Sequence, residues 1–128
     1  MASVAPVAKA IYLCDEHVGY GDGKVDLYGL FNAIRPASEY PYVNGRFCVF
    51  TQLVSGLGVV SYFVDIRDAA TLELVWTSIV RTLTFPARST VLYVVQAVEA
   101  CCFPRSGLYL VEVYCNNAWV CDTQFSLL

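Results

Sequence analysis

Short runs of β-forming residues constrain this chain more than any other feature, because turn signals separate them about every ten residues. The runs are rich in Val, Ile, Leu, Tyr, Phe and Thr, and no long window shows the three-to-four-residue apolar period of a helix. This pattern is typical of a β-sandwich or barrel. We predict about eight strands, at Val7–His17, Lys24–Ile34, Gly45–Val54, Val59–Arg67, Leu74–Phe85, Thr90–Cys101, Gly107–Cys115 and Ala118–Leu127.

The segments between the runs have the composition of turns. Asp22-Gly23 is a strong hairpin signal, and Asn116-Asn117 closes the last hairpin because asparagine tolerates positive φ. Pro36 to Pro41 forms a longer connection, since proline cannot donate to a central ladder. The 128 residues are enough for one domain. We therefore predict an all-β fold over residues 1–128, a single antiparallel β-sandwich that is immunoglobulin-like or jelly-roll-like.

The position of one tyrosine is a further indication of sandwich topology. Tyr109 follows the turn Pro104–Gly107 at the start of the seventh predicted strand, which resembles the tyrosine corner of immunoglobulin-like sandwiches. Its hydroxyl is then expected to bond to backbone a few residues upstream. Alternation along the strand places Val111 and Val113 in the core beside it.

Charge and composition exclude several functional classes. The net charge is −3 and the eight basic residues never cluster, whereas nucleic-acid binders need a basic face. The uncharged stretch Phe47 to Val64 is punctuated by polar residues and by Gly56 and Gly58, so we predict no membrane span. The N-terminus lacks the pattern of a secretory signal, and we predict a cytoplasmic protein or part of a particle assembled in the cytoplasm.

The six cysteines are predicted to be small buried hydrophobes. No C-x-x-C pair is present, so zinc is unsupported. A two-residue loop at Asn116-Asn117 would place Cys115 opposite Ala118 and Cys121 opposite Glu112. This register and a reducing compartment both oppose an intrachain disulfide.

Catalytic motifs are missing from the sequence. His17 is the single histidine, and alternation separates it and Asp15 from Cys14 and Glu16, which lie on the other face. The loop Gly19–Lys24 departs from the phosphate-binding pattern. Asp65 and Asp68 are the best carboxylate pair for acid–base chemistry, but such residues at strand ends are usually turn formers. We predict no enzyme activity, no cofactor and no metal.

The apolar content exceeds what one small domain needs. The chain is 57% hydrophobic and 15% charged, against about 45–50% and about 25% in ordinary domains. Three runs are apolar on both faces, at Val91–Val95, Leu108–Val111 and Tyr62–Val64, although one face of an antiparallel strand is usually wet. We predict a self-assembling or protein-binding subunit, with interface candidates Leu92, Val94, Leu108 and Leu110 on an outer sheet face.

Two alternatives stay open. A small-ligand binder would use aromatic side chains such as Trp76, Trp119 or Tyr93 to line a cleft between sheets. An enzyme with an unfamiliar site is the other alternative.

The first two predicted strands contain a characteristic sequence motif. It reads Leu13-Cys-Asp-Glu-His17, followed by Asp22-Gly-Lys-Val-Asp-Leu-Tyr-Gly-Leu-Phe31. The chain resembles a family of small bacterial all-β proteins of unassigned function, and its later segments Val60–Asp68 and Pro104–Leu128 also look like that family. The resemblance implies a compact β-sandwich in a bacterial or phage setting, and it brings no catalytic residues.

Overall fold

All regular structure in this chain is β-strand. The computed structural model describes residues 2–128, and no helix lies in that range. The strands are β1 Val7–Gly19, β2 Val25–Leu30, β3 Ala33–Ile34, β4 Tyr42–Val54, β5 Gly58–Asp68, β6 Leu74–Thr77, β7 Arg81–Phe85, β8 Leu92–Phe103, β9 Gly107–Cys115 and β10 Ala118–Leu127. The all-β prediction is confirmed, but the predicted number of strands is wrong because two of the predicted strands are each divided in two.

The strands form two sheets. One has four strands in the order β2-β1-β4-β8, and the other has six, β3-β10-β9-β5-β6, with β7 also paired to β5. Neighbouring strands are antiparallel except for β3 and β10, which pair in parallel.

The predicted strand Lys24–Ile34 divides because the chain changes sheets at Phe31 and Asn32. Its first part, β2, pairs with β1, and its second part, β3, pairs with β10 in the other sheet. Gly29 near the end of β2 has φ +68°, and a Cβ there would collide with the carboxylate of Asp15. Only glycine fits this conformation and this close approach.

The predicted strand Leu74–Phe85 divides at a β-bulge. Ser78 makes two bonds to Val64: its N–H donates to the Val64 carbonyl (2.8 Å) and its Oγ accepts from the Val64 N–H (2.9 Å). Three residues, Ser78 to Val80, therefore lie opposite two residues of β5. The extra residue turns Ile79 and Val80 outward into solvent.

The core lies between the two sheets. Buried side chains of both sheets form one cluster, in which Phe47, Val49 and Leu53 of β4 meet residues of β5, β9 and β10. The ring of Phe125 is at its centre. It lies 5.7–6.4 Å from four other rings, which are those of Phe31, Phe47, Phe103 and Tyr109.

Tyr109 occupies the position that the sequence predicts. Its side chain is fully buried, and its hydroxyl donates a 2.7 Å hydrogen bond to the carbonyl of Arg105, four residues upstream. Val111 and Val113 are buried in the core cluster on the same face of β9. These features confirm the predicted bond to upstream backbone and the predicted orientation of the strand.

The last hairpin confirms part of the predicted register. Asn116 and Asn117 both have positive φ, and Cys115 pairs with Ala118. Cys121 lies opposite Val113 rather than Glu112, because a bulge between Trp119 and Cys121 adds one residue to β10. The six cysteines, all within the described range, are free thiols.

Candidate functional site

The outer face of the four-stranded sheet carries a row of aromatic rings. Alternation turns one set of side chains of β1, β4 and β8 away from the core. Tyr12 of β1 pairs with Phe50 of β4, and their ring centroids are 6.3 Å apart. Phe50 is in turn 5.5 Å from the ring of Tyr93 on β8. The row therefore crosses three neighbouring strands.

This surface is apolar and partly open to solvent. Tyr12 and Tyr93 are 49% and 43% exposed, whereas Phe50 between them is only 7% exposed. Leu30 extends the surface onto β2, and Val95 extends it along β8. We call it the aromatic face, defined by Tyr12, Leu30, Phe50, Tyr93 and Val95.

Polar groups surround the aromatic face. A groove of about 480 Å³ runs beside the rings, where Gln52 and the segment Gly23–Leu27 complete its lining. Lys24 and Asp26 bring charges of opposite sign to this end. At the other end Arg46 and Glu99 pair at 3.9 Å, both largely exposed. The rim therefore carries both signs of charge around an uncharged centre.

The outer face of the six-stranded sheet differs, because ion pairs cover its centre. Arg67 donates to Glu112 (2.9 Å) and to Asp65 (3.2 Å). Thr77 donates a 2.6 Å bond to Asp65, and Tyr114 donates a 3.2 Å bond to Glu112. These contacts pair the charged groups within the sheet. Beside them the rings of Phe63 and Tyr114 stack with their centroids 4.9 Å apart.

The two carboxylates that the sequence singled out have separate partners. Asp65 belongs to the network around Arg67, whereas Asp68 accepts from Arg105 Nε (2.9 Å) and from the backbone N–H of Ala70 (2.9 Å). The Arg105 bond, together with the backbone donors, holds the pKa of Asp68 below its ordinary value. Asp68 thus stabilises a turn, and the two residues do not form an acid–base pair.

This arrangement predicts how an Asp68→Asn variant responds to acid. A carboxyl whose pKa is lowered in the folded state stabilises the fold above its ordinary pKa, and this contribution is lost as the pH falls through the lowered value. We expect D68N to be less stable than the natural protein at pH 7, with the difference shrinking below about pH 4. Urea unfolding from pH 7 to pH 2.5 measures it. Asp122→Asn, at an exposed site on β10, is the control, and a difference for D68N that does not change with pH would contradict the prediction.

The single histidine lies beside a cysteine from another strand. His17 Nδ1 is 3.9 Å from Cys48 Sγ, and Cys48 is directly opposite Cys14 in the sheet. Burial raises the pKa of the Cys14 thiol to about 11 and also raises the pKa of Cys48. Nucleophilic chemistry needs the thiolate, so this constellation is poorly suited to it at neutral pH.

The predicted interface residues separate into two groups. Leu108 is exposed, and Leu110 lies half-buried on the outer face of the six-stranded sheet. The expected outward orientation of Leu92 and Val94 is wrong, because Val94 is buried in the core and Leu92 packs against it. Pairing with Leu53 and Thr51 of β4 sets this orientation. The outward residues of that run are instead Tyr93 and Val95.

Sequence reasoning missed most of the aromatic face. Trp76 packs against the core and Trp119 is 57% exposed on β10, so they do not line one cleft with Tyr93. The signal that could have found the surface is Phe47–Val54, which has apolar residues at both alternating positions and no charge. Such a strand places apolar side chains on both faces of its sheet, so an apolar surface is expected on the outer face as well as in the core.

Two further observations concern other kinds of site. In the described part of the chain, no helix is long and apolar enough to cross a membrane. Among residues 2–128, no three His, Cys, Asp or Glu side chains are grouped so that they could hold a metal ion.

Comparison with protein-family models identifies a family for this chain. The model of a family of unknown function, DUF6941, matches residues 9–127, which is nearly the whole chain. A search of curated proteins finds no match.

Proposed function

We propose that this chain, which belongs to the DUF6941 family of unknown function, is a non-enzymatic β-sandwich subunit that self-associates through its aromatic face. The single observation that carries the proposal is the row of rings Tyr12, Phe50 and Tyr93, whose two tyrosines stay about half-exposed at the uncharged centre of the sheet face. The shared core between the two sheets supports the sandwich architecture, of immunoglobulin-like or jelly-roll-like type.

The size of the surface favours a protein partner. A half-exposed tyrosine offers about 100 Å², and with Leu30, Val95 and their neighbours the aromatic face reaches on the order of 500 Å². Apolar patches of this size on monomers are often interaction sites. A stable interface buries about 800 Å² per partner, so the proposed interface has to include part of the polar rim as well as the aromatic face.

The distribution of charge favours a second copy of this chain as that partner. A two-fold interface brings the same surface of both subunits together, so it must be complementary to itself. The rim offers Lys24 and Arg46 as well as Asp26 and Glu99, and each cation can face an anion of the other copy. Tyrosines are also enriched at the centres of interfaces.

We expect the protein to be a dimer or a larger discrete oligomer at tens of micromolar, and Tyr93→Lys to weaken association by about 30-fold or more. The lysine would place a charge at the centre of the apolar interface, where it cannot be paired. Size exclusion with light scattering over a concentration series measures the equilibrium.

Trp119→Lys is the matched control, since it places the same charge at an exposed aromatic position on the other sheet. It should leave association unchanged. A natural protein that remains monomeric at these concentrations, or a control that dissociates as readily as Y93K, would overturn the proposal.

A small-ligand function is the second candidate, and the groove beside the rings favours it. Its volume of about 480 Å³ suits a small molecule, and its wall combines aromatic rings with Lys24, Asp26 and Gln52. A monomer whose melting temperature rises with a small molecule, but not when Tyr93 is changed to lysine, would favour this function over self-association.

The cysteines support a reducing compartment such as the cytoplasm as the place of action. Four of the six free thiols are buried and one is half-buried. Proteins of oxidising compartments usually pair their cysteines.

A further inference from the structure

The first half of β1 is hydrogen-bonded along one edge only. It pairs with β4 from Val7 to Cys14, whereas its pairing with β2 covers only Cys14 to Gly19. The bond from the Phe31 N–H to the Leu13 carbonyl (3.0 Å) is the last one on the β2 side. Beyond it β2 has left the sheet, and within residues 2–128 no other strand pairs with this edge of β1.

The hydrogen bond between Phe31 and Leu13 shows which way the unpaired backbone N–H and C=O groups of β1 point. Because the Leu13 carbonyl reaches Phe31, the N–H and C=O of Leu13 point away from β4. In an antiparallel ladder the same holds two residues earlier, at Ile11. In the described range, the Ile11 N–H and C=O and the Leu13 N–H point where no strand supplies a partner.

The edge of β10 is open on the same side of the molecule. The Ser126 N–H donates to the Asn32 carbonyl (3.0 Å), and β3 pairs only with Ser126 and Leu127. Two residues earlier, Gln124 presents its backbone toward the same side without a strand beside it. Both sheets therefore end in an open edge where the chain passes from β2 to β3.

A groove of about 430 Å³ lies between these two edges. It is lined by Ile11, Tyr12, Leu13, Leu30, Phe31, Asn32, Thr123 and Gln124. None of these residues is charged, and the polar groups among them are amides, hydroxyls and backbone. Such a lining suits another polypeptide and offers nothing to a phosphate or to a strongly charged ligand.

We propose that this groove binds an extended segment of a partner protein by β-strand addition to β1, in the place that β2 vacates. The segment would bond to the backbone of Ile11 and Leu13 and place alternate apolar side chains toward Phe31. Its other edge would lie beside Thr123 and Gln124. The uninterrupted stretch Ala10 to Leu13 spans about 13 Å, so about four residues of the partner segment pair with β1.

Two features of the same edge of β1 limit its pairing with the edge strands of other molecules. A bulge between Ala8 and Ala10 interrupts the ladder, and Lys9 lies within it. Bulges and lysines on edge strands limit edge-to-edge aggregation. The open stretch is thus long enough for one short strand, and its far end is closed to further extension.

The test uses a displayed library of random decapeptides, selected on the natural protein. We expect recovered peptides to alternate apolar and polar residues, and to slow hydrogen exchange at the Ile11 amide by at least tenfold. Two sets of N-methylated variants of a recovered peptide, one methylated at odd-numbered and one at even-numbered amides, test the pairing. Only one edge of the peptide faces β1, so one set should lose binding and the other should keep it. Failure to recover peptides, unchanged exchange at Ile11, or equal effects of the two methylated series would overturn the proposal.

Matched variants separate this groove from the aromatic face. Thr123→Lys places a charge in the uncharged groove and should weaken peptide binding at least tenfold without changing self-association. Tyr93→Lys should have the opposite pattern. Near-ultraviolet circular dichroism verifies that both variants fold, and an effect of Y93K alone on peptide binding would overturn the assignment to the groove.

Discussion

Phe125→Ala is expected to lower the free energy of unfolding by about 3–5 kcal/mol. The ring of Phe125 is almost fully buried and lies against four other rings, two of them on strands of the four-stranded sheet, Phe47 and Phe103. Alanine would remove apolar contacts to both sheets and leave a cavity where they meet. Neighbouring aromatic rings are too rigid to fill such a space completely.

Urea unfolding followed by fluorescence measures this loss. Phe125→Leu should cost less, because it keeps part of the volume. Trp119→Ala, also on β10, should change stability by less than about 1 kcal/mol because the indole is exposed. A loss for Phe125→Ala as small as that for Trp119→Ala would show that this ring does not join the two sheets.

Tyr109→Phe and Tyr62→Phe are expected to have different effects, although both tyrosines are fully buried. The Tyr109 hydroxyl donates to the Arg105 carbonyl at 2.7 Å, so its loss should cost about 1–3 kcal/mol. The Tyr62 hydroxyl lies near the hydroxyl of Thr51, but among residues 2–128 neither of them forms a hydrogen bond of normal length and angle. Burial raises the pKa of Tyr62 to about 12. Removing this unpaired hydroxyl should be neutral or stabilising.

Thermal and urea unfolding of the two variants make the comparison, since each variant loses one oxygen atom from a buried ring. If Y62F destabilises the protein as much as Y109F, then the Tyr62 hydroxyl is bonded in solution, and the difference inferred from the structure is wrong. A double variant should show additive effects if the two sites are independent.

Local sequence is enough to predict those elements whose boundaries depend on nearby turns. The strands Gly107–Cys115 and Ala118–Leu127 have the predicted bounds, because Asn116-Asn117 specifies the turn between them. Tyr109 likewise occupies its predicted corner, since both the donor and the acceptor of its bond lie within five residues of sequence. Turn chemistry and alternation determine these features without help from the rest of the chain.

Features that depend on distant residues could not be predicted in this way. The change of sheet after β2 involves Asp15 packing against Gly29, and the bulge at Ser78 depends on its two bonds to Val64. In the run Val91–Val95 every residue is apolar, so alternation gives no signal for which side faces inward. Only the register with β4 places Val94 in the core and Tyr93 on the aromatic face.

The parallel pair of β3 and β10 has a consequence for the order of events in folding. It joins Ala33 to Ser126 and Ile34 to Leu127, residues that are far apart in the sequence. Closing so long a loop costs entropy before the contact returns any stabilisation, which is why distant pairings slow the folding of β proteins. We therefore expect hairpins such as β9–β10 to form early and the β3–β10 ladder to form late. Until that last step, the end of β10 at Ser126 and Leu127 also remains unpaired and open to capture by other chains.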